Sequence, residues 1–323
     1  MGQVVGGTIT DMKKISIAFV VLACALCTNL LAAPLGTNTR TVLPAQIQQI
    51  ISVDYRMLRN SPSGMALKSR VLPDNLKAFE TSLRGMGVNP DTDMEQLTFV
   101  SYRTPKGMLR TFGVANGQFE PKKVVARFKL KKQKSEKYRD SDLWGASGGF
   151  VMTFLDENTM LFGEPSAVKD GLDVRDGEQR GVASNPDMMQ LIAEAEAGPV
   201  WSVLDQQGTQ NMLRSALGEA AALADYDTIK KRLLGSLYTL DLQHGVDFGL
   251  NVQTSDSFTA GTLSALMKAG MLYKKAAGSA DEKSAMDNMA VDSDSGRLVV
   301  KFKADDSKFQ ALLKSELFQA VSH

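Results

Sequence analysis

Ser147 lies at the centre of a motif that hydrolases use to hold a nucleophile. Residues Gly145, Ser147 and Gly149 match the pattern G-x-S-x-G, which needs a sharp strand-to-helix turn at the serine, with an acid and a histidine later in the chain. The residues that follow, 150–155, predict a strand and not a helix. The motif therefore indicates a glycine-rich turn, and a serine hydrolase that uses Ser147 with His244 as its base is an alternative function.

Two other short patterns match catalytic or metal-binding motifs only in part. Ser166 and Lys169 are spaced as S-x-x-K, but the S-D-N and K-T-G elements that accompany this pair in penicillin-interacting enzymes have no match. Residues 292–296 begin like a calcium loop, yet the closing glutamate is missing. These patterns favour an ordinary helix start and a polar hairpin turn.

Cysteine and histidine are too scarce to build a metal or redox centre. Both cysteines, Cys24 and Cys27, lie in the apolar N-terminal segment, and the two histidines are His244 and His323. The rest of the chain can form no disulfide and offers no thiolate nucleophile. Two histidines far apart in the sequence also argue against a histidine-based transition-metal site. We expect no cofactor and no metal.

The first 33 residues have the pattern of an export signal. Lys13 and Lys14 precede a long apolar stretch that ends in small residues, the arrangement of a secretory leader. Three forms stay open: a cleaved signal peptide, lipid attachment at Cys24, or a retained anchor through residues 13–33. Each form predicts an exported protein, located in the periplasm or associated with the outer envelope.

The charge balance argues against nucleic acid as a partner. The whole chain has 37 basic and 36 acidic residues, and the part after residue 33 has 35 of each. A neutral exported chain lacks the positive charge on which phosphate-backbone binding depends. We therefore expect no nucleic-acid partner, while the actual partner and the oligomeric state stay unknown.

One segment departs from this balance. Seven basic residues follow one another closely between positions 122 and 134: Lys122, Lys123, Arg127, Lys129, Lys131, Lys132 and Lys134. Such a run is commonly the solvated face of a helix that leads into an edge strand protected by lysines. The functional alternative is contact with anionic lipid or another acidic envelope surface.

Hydrophobic periodicity predicts an α+β protein with an internal duplication. Segments 97–130 and 237–267 each read as two strands followed by a helix, and their alignment places Phe112 on Phe248. Both halves of the chain have the order strand, helix, hairpin, helix, hairpin, helix. We expect two related modules of antiparallel sheet with helices packed on one face.

The expected organisation has five parts. They are a leader (1–33), a tether (34–46), a first module (47–178), a linker with a short helix (179–198) and a second module (199–323).

The exported leader and the element Gly117-Gln118-Phe119 resemble a diffuse group of uncharacterised exported bacterial proteins. That resemblance implies no activity. We expect a non-catalytic exported protein that serves in binding or scaffolding, because the sequence shows no group of residues typical of nucleophilic catalysis or cofactor binding. A carrier of apolar ligands or lipids, held between helices and sheet, is the second alternative beside the hydrolase.

Overall fold

A computed structural model describes residues 34–196, 198–217 and 226–314 of the chain. The predicted leader and its Cys24 lie outside the described residues. Within them the strands are β1 (Ile47–Asp54), β2 (Met94–Arg103), β3 (Leu109–Gly117), β4 (Ser135–Tyr138), β5 (Ser141–Gly145), β6 (Val151–Phe154), β7 (Thr159–Gly163), β8 (Val200–Leu204), β9 (Leu233–Asp241), β10 (Val246–Thr254), β11 (Met289–Asp294) and β12 (Arg297–Ala304).

The α-helices of the same residues are α1 (Thr37–Thr41), α2 (Tyr55–Arg59), α3 (Pro62–Val71), α4 (Asp74–Met86), α5 (Pro90–Asp93), α6 (Pro121–Leu130), α7 (Pro165–Arg175), α8 (Pro186–Ala195), α9 (Gln206–Leu217), α10 (Tyr226–Lys230), α11 (Ser257–Ala277), α12 (Ala280–Asp287) and α13 (Asp306–Lys314). Single turns of 3-10 helix lie at Ser147–Gly149 and Val182–Ser184. None of these helices is both long and apolar enough to cross a bilayer.

All the strands join one antiparallel sheet in the order β11-β12-β10-β9-β8-β1-β2-β3-β7-β6-β5-β4. β1 and β8 pair at its centre, with Ile51 opposite Ser202. Outward from this seam, one half adds β2, β3, β7 and β6, while the other adds β9, β10, β12 and β11. The α+β class is confirmed, and the matching strand order agrees with the expected duplication.

Strand alternation assigns each core residue to one of two sheet faces. The front face carries Ile51, Phe99 and Tyr238. Direct cross-strand pairs connect these positions through β1, β2, β8 and β9, so all three side chains lie on the same face. The back face carries Ile50 and Val100, also paired directly.

Helices cover both faces, which differs from the expectation of helices on one face. The front-face cores contain residues from α2, α4, α6 and α9 to α13. The back-face core contains Val168 of α7 and Ile192 of α8, together with Val42 and Leu43 just after α1. The back face of the central strands would otherwise expose a continuous apolar surface, because these strands are apolar on both sides.

Two segments predicted to be connections are parts of this core. In residues 34–46, expected to be a tether, Val42 and Leu43 are fully buried. In residues 179–198, expected to be a linker, α8 buries Met188 and Ile192 against the sheet. Both segments therefore contribute buried side chains to the back-face core, and the short helix expected within residues 179–198 is α8.

The alignment of Phe112 with Phe248 is also wrong. Phe112 pairs with Val100 on the back face, whereas Phe248 pairs with Leu240 on the front face. Phe112 is buried and Phe248 is half-buried. A one-residue shift in the alignment moves every side chain of a strand to the other face. The two halves therefore share their strand order, but Phe112 and Phe248 are not equivalent residues.

Asp256 caps the N-terminus of α11, the longest helix among the described residues. Its carboxylate accepts hydrogen bonds from the Thr259 N–H at 2.8 Å and the Thr259 hydroxyl at 3.0 Å, and Ser255 and Arg232 also donate to it. The Thr259 N–H and these neighbours lower the pKa of Asp256 to about 2. Asp256, and not its neighbour Ser255, therefore caps the helix.

This cap predicts a pH dependence. The pKa is about 2 in the folded chain and about 3.9 in an unfolded one, so the stabilisation is present above about pH 4 and is lost as the pH falls toward 2. We expect Asp256→Ala to lower Tm at pH 7, with the difference from wild type shrinking between about pH 4 and 2. Asp256→Asn, which still caps, is the control and should change Tm little at pH 7.

Candidate ligand cavity

A cavity lies on the front face at the seam between the two halves. It is roofed by α3 and α4, which diverge from an elbow at Leu72 and Pro73. Leu67 of α3 packs with the core around Phe309 and Leu313 of α13. Phe79 and Leu83 of α4 pack with the core of the other half. Because the two helices lean toward opposite halves, the central strands between them are left uncovered.

Local sequence explains the elbow. Ser61 caps α3 by accepting a hydrogen bond from the Gly64 N–H at 2.9 Å, and Pro62 occupies the first turn. Pro73 forces Leu72 into an extended conformation (φ −71°, ψ 117°), which ends α3. α4 then begins at Asp74 and ends at Met86, where Gly87 caps it with a φ of 86°, the left-handed conformation that glycine adopts most easily.

The cavity has a volume of about 370 Å³, within the range of small-molecule sites. Its floor consists of strand side chains on the front face: Ile51, Val53, Leu97, Phe99, Val200 and Leu240. Its roof consists of helix side chains: Leu67, Val71, Leu72, Leu76 and Phe79. Apolar cavities of this kind hold water poorly and accept apolar molecules.

An aromatic stack closes one end. The Phe162 ring stacks on Phe79 with centroids 4.6 Å apart and lies directly over Gly113, where a Cβ would come within 2.3 Å of the ring. Only glycine allows the ring to lie flat and form this wall.

A cluster of polar side chains occupies the other side. Lys68 Nζ lies 2.7 Å from Glu80 Oε1 and donates to the Tyr55 hydroxyl at 2.7 Å. Tyr55 in turn donates to Asp91 Oδ1 at 3.2 Å, and Arg84 pairs with Asp91 at 2.7 Å. We call Tyr55, Lys68 and Glu80 the polar corner; all three line the cavity.

The protonation states of the polar corner are held in place by these contacts. Burial raises the pKa of Tyr55, which keeps the phenol neutral. Burial alone would lower the pKa of Lys68, but the hydrogen bonds to Glu80 and Tyr55 outweigh it and raise that pKa. An ammonium held charged in this way is a poor nucleophile, so the arrangement suits orientation of a polar group on a bound molecule.

Ser147 and His244 do not come together. Ser147 is exposed in the turn between β5 and β6, and β6 is a strand, so no nucleophile elbow forms. His244 is exposed in the turn between β9 and β10. Six strand spacings of about 4.8 Å, roughly 30 Å, separate β6 from β9. The pair that the hydrolase alternative requires is absent from the structure.

The other two partial motifs are structural. Lys169 of the S-x-x-K match pairs with Glu136, and residues 292–296 form the turn between β11 and β12. Among the described residues no cluster of three or more His, Cys, Asp or Glu side chains could hold a metal ion.

The predicted basic run lies on α6 and the turn that follows it. Its seven basic residues are all exposed, so the structure places them together on one surface. That surface is separate from the cavity, since none of the seven lines it.

The sequence did not reveal the cavity. Its lining is drawn from five strands, β1, β2, β7, β8 and β9, and from three helices, α2, α3 and α4, so no single stretch of the sequence contains it. Ser61 followed by Pro62 is the local signal for α3, since both favour a helix start.

No protein-family model matches this chain, and no curated protein matches it. Among solved structures, it is similar in fold to crystal form I of TP0453, with a TM-score of 0.49 and 8% sequence identity. That similarity covers 87% of this chain and 98% of the other. A likeness this distant carries no function across.

Proposed function

We propose that this protein is a non-catalytic exported protein that binds an apolar or lipid-like molecule in the cavity beneath α3 and α4. The observation that carries the proposal is the cavity itself: about 370 Å³, lined almost wholly by aliphatic and aromatic side chains, with one ion-paired corner. Of the alternatives that the sequence left open, the cavity favours a carrier of apolar ligands or lipids.

The shape supports an elongated amphiphile. Apolar floor and roof can hold a hydrocarbon chain, since burying apolar surface contributes about 25 cal/mol per Å². A polar head group would lie at Lys68 and Glu80, which present a donor and an acceptor at the cavity wall. Exposed Val71, at 46% exposure, marks the rim beside the elbow.

The polar groups that line the cavity are paired with one another, which favours a binding role. Tyr55, Lys68 and Glu80 satisfy one another, and the serine and histidine of the hydrolase alternative are far apart. Export is proposed from the leader pattern of residues 1–33. The mass of the mature protein in the membrane and soluble fractions tests export and also decides among cleavage, lipid attachment at Cys24 and retention.

A bulky substitution on the cavity floor should abolish binding. We expect Leu240→Trp to weaken binding of the fluorescent apolar probe N-phenyl-1-naphthylamine at least tenfold, because a single misplaced methylene in an apolar site already changes binding about ten- to two-hundredfold. Protein purified without detergent should also lose co-purified lipid, measured by mass spectrometry of an organic extract.

Leu234→Trp is the matched control. Leu234 is on the same strand, is 54% exposed and does not line the cavity, so probe binding should stay at the wild-type level. Equal probe binding by wild type and Leu240→Trp, with both unfolding cooperatively, would contradict the proposal.

A further inference from the structure

The C-terminal end of α6 combines an exposed leucine with a cluster of positive charge. Leu130 is 83% exposed, more than any other large apolar side chain among the described residues. Around it along the helix and turn are the seven residues that we call the basic surface: Lys122, Lys123, Arg127, Lys129, Lys131, Lys132 and Lys134. The opposite side of α6 is buried through Val124 and Phe128.

The charges of the basic surface are largely uncompensated. Within the described part of the chain, only Lys123 of these seven forms an ion pair, with Glu120 at 2.5 Å. Lys131 donates to the Gly85 carbonyl at 3.0 Å, and the Arg127 guanidinium lies against Gly87. A face that exists only to be solvated needs neither this concentration of one sign nor a leucine at its centre.

Lys132 stands where glycine would be more stable. It closes α6 with a φ of 55°, and the turn has the 6→1 bond from Gln133 N to Phe128 O at 3.0 Å. Helices end in this left-handed conformation mostly at glycine, and a lysine there is strained. The chain keeps a positive charge at this position despite the local strain.

We propose that α6 and the turn after it dock on the surface of an anionic lipid bilayer, with Leu130 inserted among the head groups and the lysines on their phosphates. Basic residues near an anionic membrane contribute about fivefold each to binding, the equivalent of about 1 kcal/mol. An inserted apolar side chain adds to this attraction. The inference goes beyond the proposed function and does not depend on it.

Docking here would also place the bilayer near the cavity. α6 lies beside the C-terminal end of α4, where Lys131 reaches Gly85. Leu76, at the other end of α4, lines the cavity. The nine residue steps from Leu76 to Gly85 correspond to roughly 14 Å of helix.

Vesicle sedimentation tests the proposal. Full-length protein should bind vesicles of phosphatidylcholine mixed with phosphatidylglycerol, bind vesicles of phosphatidylcholine alone far more weakly, and release from the mixed vesicles as salt is raised. Lys132→Gly should bind the mixed vesicles about fivefold more weakly while its Tm rises, because the strain is relieved. Loss of fold cannot explain that combination.

Leu130→Trp gives a second readout. Trp144 and Trp201 are both buried, so a blue shift that appears with mixed vesicles reports the new indole entering the bilayer. The matched control is Leu272→Ser with Lys275→Ser on α11, another helix with exposed leucine and lysine, which should bind the vesicles as wild type does.

Wild-type binding that is equal for the two vesicle types would overturn the proposal, as would unchanged binding by Lys132→Gly. A loss confined to the α11 control would also overturn it and assign docking to α11. Probe binding in the cavity is measured without vesicles, so failure here is distinguishable from failure of the proposed function.

Discussion

Phe112→Ala is expected to lower the free energy of unfolding by about 3–5 kcal/mol, the usual loss for a fully buried phenylalanine. The Phe112 ring is 1% exposed in the back-face core and packs 5.8 Å from the Tyr102 ring. That core is covered by α7 and α8 and has little freedom to collapse around the cavity that alanine would leave. Urea unfolding followed by circular dichroism measures the loss.

Phe248→Ala is the matched comparison. Phe248 is half-buried on the front face, 5.9 Å from the Tyr238 ring, so less surface is lost and the expected cost is about 1–2 kcal/mol. Equal costs for the two variants would contradict the assignment of these rings to different faces and levels of burial, and would favour the equivalence suggested by sequence alone.

The sequence predicted elements better than it predicted faces. Alternation along β10 places Val246, Leu250 and Val252 on one buried side, and Pro121 and Pro165 occupy the first turns of α6 and α7, where proline is favoured. These signals are local. The relation between Phe112 and Phe248 depends on sheet register across several strands, and no short stretch of sequence contains that information.

One turn has no signal in its local sequence. β4 and β5 form a hairpin that turns at Arg139, whose φ is 52°. Turns of this kind usually contain glycine or asparagine at the position with positive φ. Here the arginine is held by its side chain, which pairs with Asp173 at 2.6 Å and with Glu178 at 3.3 Å on and beside α7, so tertiary contact replaces the usual residue type.

The cavity could not be predicted for a related reason. Each lining residue is an ordinary apolar position in its own strand or helix, and the volume exists because α3 packs on one half and α4 on the other. The apolar faces of helices suggested a carrier only in general terms. The polar corner could not be predicted from the sequence, because Tyr55, Lys68 and Glu80 belong to three different helices.

Lys68→Met is expected to lower the free energy of unfolding by about 2–3 kcal/mol, because it leaves Glu80 without its partner beside an apolar cavity. The two side chains are only 14% and 22% exposed, so water compensates little. The double variant Lys68→Met/Glu80→Met should recover to within about 1 kcal/mol of wild type, since an apolar pair leaves no unpaired charge.

The pair of Lys68 and Glu80 also predicts that the folded chain becomes less stable at high pH. The pKa of Lys68 and that of Tyr55 are both raised in the folded chain, so an unfolded chain loses these protons first and wild-type stability falls as the pH rises above about 10. The double variant lacks the Lys68 part and should show a shallower fall in urea unfolding between about pH 9 and 11. If Lys68→Met alone is as stable as wild type, and the double variant falls as steeply, then the pair does not stabilise the cavity wall and α3 is held to α4 by apolar contacts.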